Sequence, residues 1–157
     1  HTIEPIGVIH TAYHSIEDMP IQPGGAAGIG GHVVLNEKYI IGLQDLDGFS
    51  HVYLLYSFHH ARRTELTVTP FMDDQPRGVF STRSPLRPNH IGLSIVKLKH
   101  VEGNKVYIEG IDVLDGTPLL DIKPYIKEFD GVKQSTSGWL QASEDEVSKK
   151  RSDARFK

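Results

Sequence analysis

The sequence predicts an all-β chain folded as a small barrel or sandwich, and three observations carry that expectation. About seven short apolar runs recur along the 157 residues, some with the inward–outward alternation of a half-buried strand. Fifteen glycines and nine prolines break these runs at close intervals, leaving little room for crossover helices. The strand–helix alternation of a doubly wound parallel sheet is missing.

Taken in order, Val8-Ile9 closes an opening apolar stretch and Val33-Val34-Leu35 is a short buried run. Val52 to Phe58, rich in Tyr, Leu and Val, reads as a central strand. Leu66 to Thr69 is β-branched at alternate places and is stopped by Pro70. From Leu93 to Leu98 the residues alternate, with Leu93, Ile95 and Lys97 on one face and Ser94, Val96 and Leu98 on the other. Gly103-Asn104 is a hairpin turn into Val106-Tyr107-Ile108. A last strand holds Asp121, Lys123 and Tyr125 on one side. Two helices are expected. Tyr39, Ile40, Leu43 and Leu46 share a face between an Asn36 cap and a Gly48 stop. Ser143 with Glu146 makes a capping box, with Lys149, Lys150 and Arg151 at the far end. The expected organisation is one domain over 1–141 and a helical segment over 142–157.

Composition narrows the function. The absence of cysteine excludes a disulfide framework, a thiolate nucleophile and a Cys-ligated zinc. No apolar run approaches the roughly 18 residues of a membrane span, and no signal-peptide pattern opens the chain, so a cytoplasmic protein is expected. The net charge of −3 argues against a general nucleic-acid binder, but it is unevenly spread. Residues 60–106 hold eight Lys/Arg against four acids, whereas 1–59 hold one Lys against six. A basic middle between acidic flanks suits a localised anion site.

Four stretches are rich in chemistry. Gly24 to Gly31 resembles a phosphate-cradling loop, yet Val33-Val34-Leu35 follows it where a helix would be needed. Among nine histidines, His59 and His60 are adjacent at the end of a strand. Neighbours there point to opposite faces, so they cannot chelate one ion without a bulge, and no metal is expected. The stretch Gly78 to Gly92 combines two prolines with Arg83, Arg87, Asn89, Ser81, Thr82 and Ser84. Such a loop either grips a planar or anionic ligand or staples its own carbonyls. Finally, Asp115-Gly116-Thr117-Pro118 is a tight turn, with Gly supplying a positive φ.

Together, Gly78 to Asn89, Asp115 to Pro118 and Asp121-Ile122-Lys123-Pro124-Tyr125 closely resemble the TsaA-like family of tRNA methyltransferases. Ile6 to Thr11 and Leu46 to His51 resemble it too. The resemblance implies a single-sheeted, mainly antiparallel β-barrel with one or two peripheral helices, dimeric, with the cofactor near the subunit interface. It implies an S-adenosylmethionine-dependent enzyme that methylates N6 of threonylcarbamoyladenosine, just 3′ of the tRNA anticodon. It implies cofactor contacts at Gln22, Pro23, His59, His60, Arg83, Leu93, Asp115, Gly116, Thr117 and Pro118.

The residues themselves suggest the rest. Asp121 is the expected proton acceptor and Tyr125 the expected stacking platform, both from spacing. Arg62, Arg63, Arg87, Asn89 and Lys123 are expected to meet tRNA. A non-catalytic nucleotide- or RNA-binding barrel and a His-based metal hydrolase are the other readings.

Overall fold

The structure, a computed structural model, describes residues 1–15, 29–71 and 73–140. Among the described residues eight strands follow one another: β1 (Gly7–His10), β2 (Gly30–Leu35), β3 (His51–Ser57), β4 (Thr67–Val68), β5 (Arg77–Gly78), β6 (Ile91–Glu102), β7 (Lys105–Glu109) and β8 (Thr117–Pro124). Six of them close a barrel in the order β1-β2-β7-β6-β3-β8, and β4 with β5 makes a separate ribbon. Every pairing is antiparallel. Of the barrel and the sandwich, the chain builds the barrel. The barrel lies in a unit spanning His1–Tyr125, and a second unit spans Ile126–Lys157.

The expected alternation decides which residues fill the interior. On β3, Val52, Leu54 and Tyr56 are buried, and on β6 Gly92, Val96 and Leu98 are. Ile9, Val33, Leu35, Val106, Ile108 and Leu119 complete the barrel's core. Leu93 and Ile95 face outward, 47% and 51% exposed. Two register shifts interrupt the pattern, between Leu98 and His100 and between Leu55 and Tyr56. The second lets Leu119 and Ile122, three residues apart, both pack on the core, as a bulge allows.

Turn chemistry matches the expectation. Gly103, at φ 60°, joins β6 to β7, with Glu102 opposite Lys105, and Gly116 has φ 85°.

The expected helix around Tyr39 is instead two 3-10 helices, Glu37–Leu43 and Leu46–Gly48, separated where Asp45 turns to φ 70°. Leu43 and Leu46 are buried as expected, but Ile40, expected on the same face, is 37% exposed, and Asn36 makes no side-chain cap. Two adjacent isoleucines and Gly42 are weak helix formers, which favours the short, tight form. The ribbon partner β5 and a four-residue helix α1 (Lys127–Asp130) gave no sequence signal. The capping box at Ser143 and Glu146 lies outside the described residues, as do Gln22, Pro23 and the glycines from Gly24 to Gly28.

One close approach fixes the barrel beside the site described next. A Cβ built on Gly92 would stand 2.2 Å from Cε2 of Tyr56 and 2.9 Å from Cζ of Phe58. The Tyr56 ring is buried and shares a 2.9 Å hydrogen bond with Ser94, so it has nowhere to retreat. Gly92→Ala is expected to cost about 1–3 kcal/mol by overpacking in chemical denaturation. Gly30→Ala, whose Cβ meets only the Ile108 carbonyl at 3.9 Å, is expected to cost nothing.

Candidate active site

A cleft of about 1020 Å³ opens on the barrel unit. Four separate stretches line it: the end of β3 with the turn after it, the loop before β6, the start of β6, and the loop before β8. Its volume suits a small organic ligand.

The loop before β8 is shaped by a carboxylate. Asp115 Oδ1 accepts the Thr11 backbone N–H at 3.1 Å and lies 3.0 Å from His10 Nδ1. His14 Nδ1 stands 3.6 Å from Oδ2. Thr11 Oγ1 donates to the Val113 carbonyl at 2.7 Å, and the backbone N–H groups of Asp115 and Gly116 bond the carbonyls of Tyr13 and Ile9. Burial pushes the Asp115 carboxyl upward, but the Thr11 N–H, His10 and His14 outweigh it and hold the group below its ordinary range. The turn is thus sewn to the end of β1. Thr117 at its far end lines the cleft, as do Asp112, Val113 and Leu114.

The loop before β6 staples itself. Arg87 Nη1 donates to the carbonyls of Thr82 at 2.7 Å and Ser84 at 3.4 Å. Ser84 N–H donates to Thr82 Oγ1, and Leu86 N–H to Ser84 Oγ. Asn89 and His90 adopt φ of 64° and 50°. Asn tolerates this left-handed region better than most residues, which gives Asn89 a turn role. Stapled this way, the loop lays Arg83 and Arg87 along the cleft.

β3 ends at Ser57, before His59 and His60. The expectation that these two point apart is therefore overturned: they sit in a turn, their ring centroids are 4.1 Å apart, and both line the cleft. Burial, His60 and Arg62 together lower the His59 pKa, favouring a neutral imidazole. Arg62 donates to the His59 carbonyl at 3.0 Å and Arg63 to Glu65 at 3.1 Å. Among the described residues no group of three His, Asp or Glu is placed to hold a metal ion.

The cleft therefore gathers His59, His60, Arg83, Arg87, Leu93 and Thr117. Asp115, Gly116, Pro118, Arg62, Arg63 and Asn89 are not in its lining, and neither are Asp121, Lys123 and Tyr125. These last three stand together on the outward face of the sheet, as expected. Asp121 pairs in register with Leu55, which in turn pairs with Leu93. Lys123 Nζ lies 3.3 Å from Asp121 Oδ2, and the Tyr125 ring is 5.8 Å from that of Tyr53.

The sequence reading gave no role to Asp112, Tyr56 or Ser94. Asp112 is a half-buried carboxyl in the cleft, raised in pKa by burial against the pull of its own backbone N–H and of Arg83. Its signal was its place between Ile111 and Val113, both buried. Burial likewise pushes the Tyr56 phenol up.

Comparison with known proteins identifies the framework. Residues 8–131 match the model of the tRNA-methyltransferase O N-terminal domain. The chain belongs to this family. A probable S-adenosyl-L-methionine-binding protein of Pyrococcus abyssi is 45% identical over 152 residues, covering 97% of this chain and 83% of the relative. The mouse tRNA (adenine(37)-N6)-methyltransferase is 40% identical over 136 residues, 81% of this chain but 31% of that enzyme. The crystal structure of TrmO from Pseudomonas aeruginosa superposes with a TM-score of 0.76 at 37% identity, over 90% of this chain and 63% of that one. The TrmO N-terminal domain is thus present here, whereas the chain spans only part of the length of the methyltransferases it matches.

Asp112 and Asp115 should titrate in opposite senses. Asp115, lowered on folding, contributes stability above the ordinary carboxylate range that is lost as pH falls through its folded pKa. Asp112, raised on folding, contributes stability at acid pH that is lost as pH rises through its folded pKa. At neutral pH, Asp115→Asn is expected to lower the melting temperature and Asp112→Asn to raise it. Both differences should shrink on acidification, read by thermal melts across pH.

Proposed function

We propose that this chain is an S-adenosylmethionine-dependent tRNA methyltransferase that modifies N6 of threonylcarbamoyladenosine beside the anticodon. The observation that carries the reading is the cleft. It collects His59, His60, Arg83, Leu93 and, from the Asp115 turn, Thr117, all from distant parts of the sequence, into one partly apolar pocket. S-adenosylmethionine fits these residues: Arg83 suits its carboxylate, Leu93 its apolar parts, and Val113, Leu114 and Thr117 line the cleft where its adenine would lie. Gln22 and Pro23 are assigned to the cofactor on resemblance. The P. abyssi relative's name, an S-adenosyl-L-methionine-binding protein, supports the cofactor, and the mouse enzyme's name supports the acceptor.

The cofactor supplies an electrophilic methyl group on a sulfonium. The chain's task is to place the N6 nitrogen in line with it and to take the proton that N6 gives up as the new N–C bond forms and the methyl–sulfur bond breaks, its electron pair staying on a neutral thioether. Asp121, held beside Lys123, is the proposed acceptor, and Tyr125, next to Tyr53, the proposed platform for the base. Arg62, Arg63, Arg87, Asn89 and Lys123 are assigned to the RNA. One observation favours a second acceptor: Asp112 is the carboxyl that lies in the cleft itself, and its raised pKa makes it the better base. The outward apolar pair Leu93 and Ile95 continues from the cleft onto the face that bears Asp121. A second copy packed there would form the expected homodimer, with the cofactor near its interface.

The test is transfer of labelled methyl from S-adenosylmethionine to threonylcarbamoylated tRNA lacking the N6 methyl. Label in the tRNA, unaffected by chelator, is expected. Cofactor bound without transfer would point to a binding module instead, and loss of activity with chelator to a metal enzyme. Asp121→Asn is expected to slow single-turnover transfer at least about 100-fold with cofactor affinity nearly unchanged. An unchanged rate in that variant, with a slow Asp112→Asn, would move the acceptor role to Asp112.

A further inference from the structure

Outside the cleft, four aromatic rings stand side by side on the outer face of four adjacent strands. His10 pairs in register with His32, His32 with Tyr107, and Tyr107 with His100. The centroids are 5.1, 5.8 and 4.3 Å apart, and the His10–His32 and His100–Tyr107 pairs are stacked. The bulge after Leu98 turns His100 outward to complete the row.

Beside this row the sheet has a bare place. Gly30 pairs with Glu109 and offers no side chain, leaving a depression of about 270 Å³ bounded by His32, Tyr107, His100 and Lys99. Lys99 Nζ reaches Glu109 Oε1 at 3.2 Å. Burial, His10 and Lys105 together lower the His32 pKa, so it presents a flat neutral ring. Within the row the rings cover one another's faces, but its end at His100 is exposed, so a planar, polar-edged ring could extend the stack there, with imidazole nitrogens and the Lys99 ammonium, held by Glu109, at its edge.

We propose that His32, Tyr107 and His100, with the Gly30 floor, form a stacking site for an unpaired base of the RNA substrate. Base–aromatic stacking is how single-stranded RNA is commonly held on β-sheet surfaces. The inference rests on the reading that the substrate is tRNA. Along β6, His100 is five residues from the cleft residue Ile95, roughly 17 Å at about 3.3 Å per residue. The stacked base is therefore not the reacting adenine but another nucleotide of the same loop.

The experiment measures binding of an anticodon stem-loop RNA, and of a fully paired duplex as control, to the full chain with S-adenosylmethionine present. Tyr107→Leu and His100→Ala are each expected to weaken stem-loop binding about tenfold, the loss of one stacked base. Tyr107→Phe, which keeps the ring, should bind like wild type. Gly30→Leu fills the depression at a site with space for a Cβ, and should weaken stem-loop binding without lowering the melting temperature. Duplex and cofactor affinities should not change. Stem-loop affinities within about twofold of wild type in all three disruptive variants would overturn the proposal, even if melting temperatures fell, because the ladder would then be structural only. If the wild-type chain neither bound nor methylated tRNA, the functional reading would fail along with it; if it did both while the variants bound normally, this inference alone would fall.

Discussion

The carboxylate of Asp115 is the tie on which the site depends. A six-stranded barrel closes only if its first and last strands meet, and here β1 pairs with β8 over three residues. Just beyond that seam the chain must leave the barrel and return. Asp115 holds both excursions by accepting from Thr11 and from His10 on the one side, while its own turn bonds the carbonyls of Tyr13 and Ile9. Buried Ile111 and Val113 anchor the same loop in the core. The cleft residues Asp112, Leu114 and Thr117 are therefore placed by the knot and the core together, and not by a loop free to choose its shape.

The opposite lip of the cleft is fixed by different means. Arg87 folds the proline-containing loop around its own guanidinium, and Gly92 lets the Tyr56 and Phe58 rings lie directly against β6. A site held on both sides before its ligand arrives spends less of the binding free energy on ordering loops. The cleft also carries a carboxyl at a cost: burial raises the Asp112 pKa, with Arg83 offsetting part of it, so its ionised form is disfavoured there.

Much of this was legible in the sequence. The alternation in Leu93 to Leu98 gave the inner and outer faces of β6, and Gly116 announced its positive φ. The loop around Arg83 and Arg87 was recognisable as rigid, although only the structure divides its labour between a staple and a cleft wall. Other features depended on three-dimensional pairing. The bulge that sends both Leu119 and Ile122 inward is a property of β3 and β8 together. His59 and His60 share a side because the strand ends at Ser57, one residue before its apolar run does, and the pair falls in the turn that follows. The ring row of His10, His32, Tyr107 and His100 comes from four strands whose order no local pattern encodes. The helix expected at Tyr39 failed because its propensity was poor: the tighter 3-10 form buries Leu43 and Leu46 but leaves Ile40 of the same predicted face exposed.

The central claim, that the cleft framed by the Asp115 turn and Gly92 is the cofactor site, is tested most directly by following backbone amide resonances while S-adenosylmethionine is added. Large shifts are expected at Gly92, Leu93, Gly110, Leu114 and Thr117, with Gly30, Lys99 and Tyr107 unmoved. Shifts confined to the His32–Tyr107–His100 face, with the cleft silent, would contradict it.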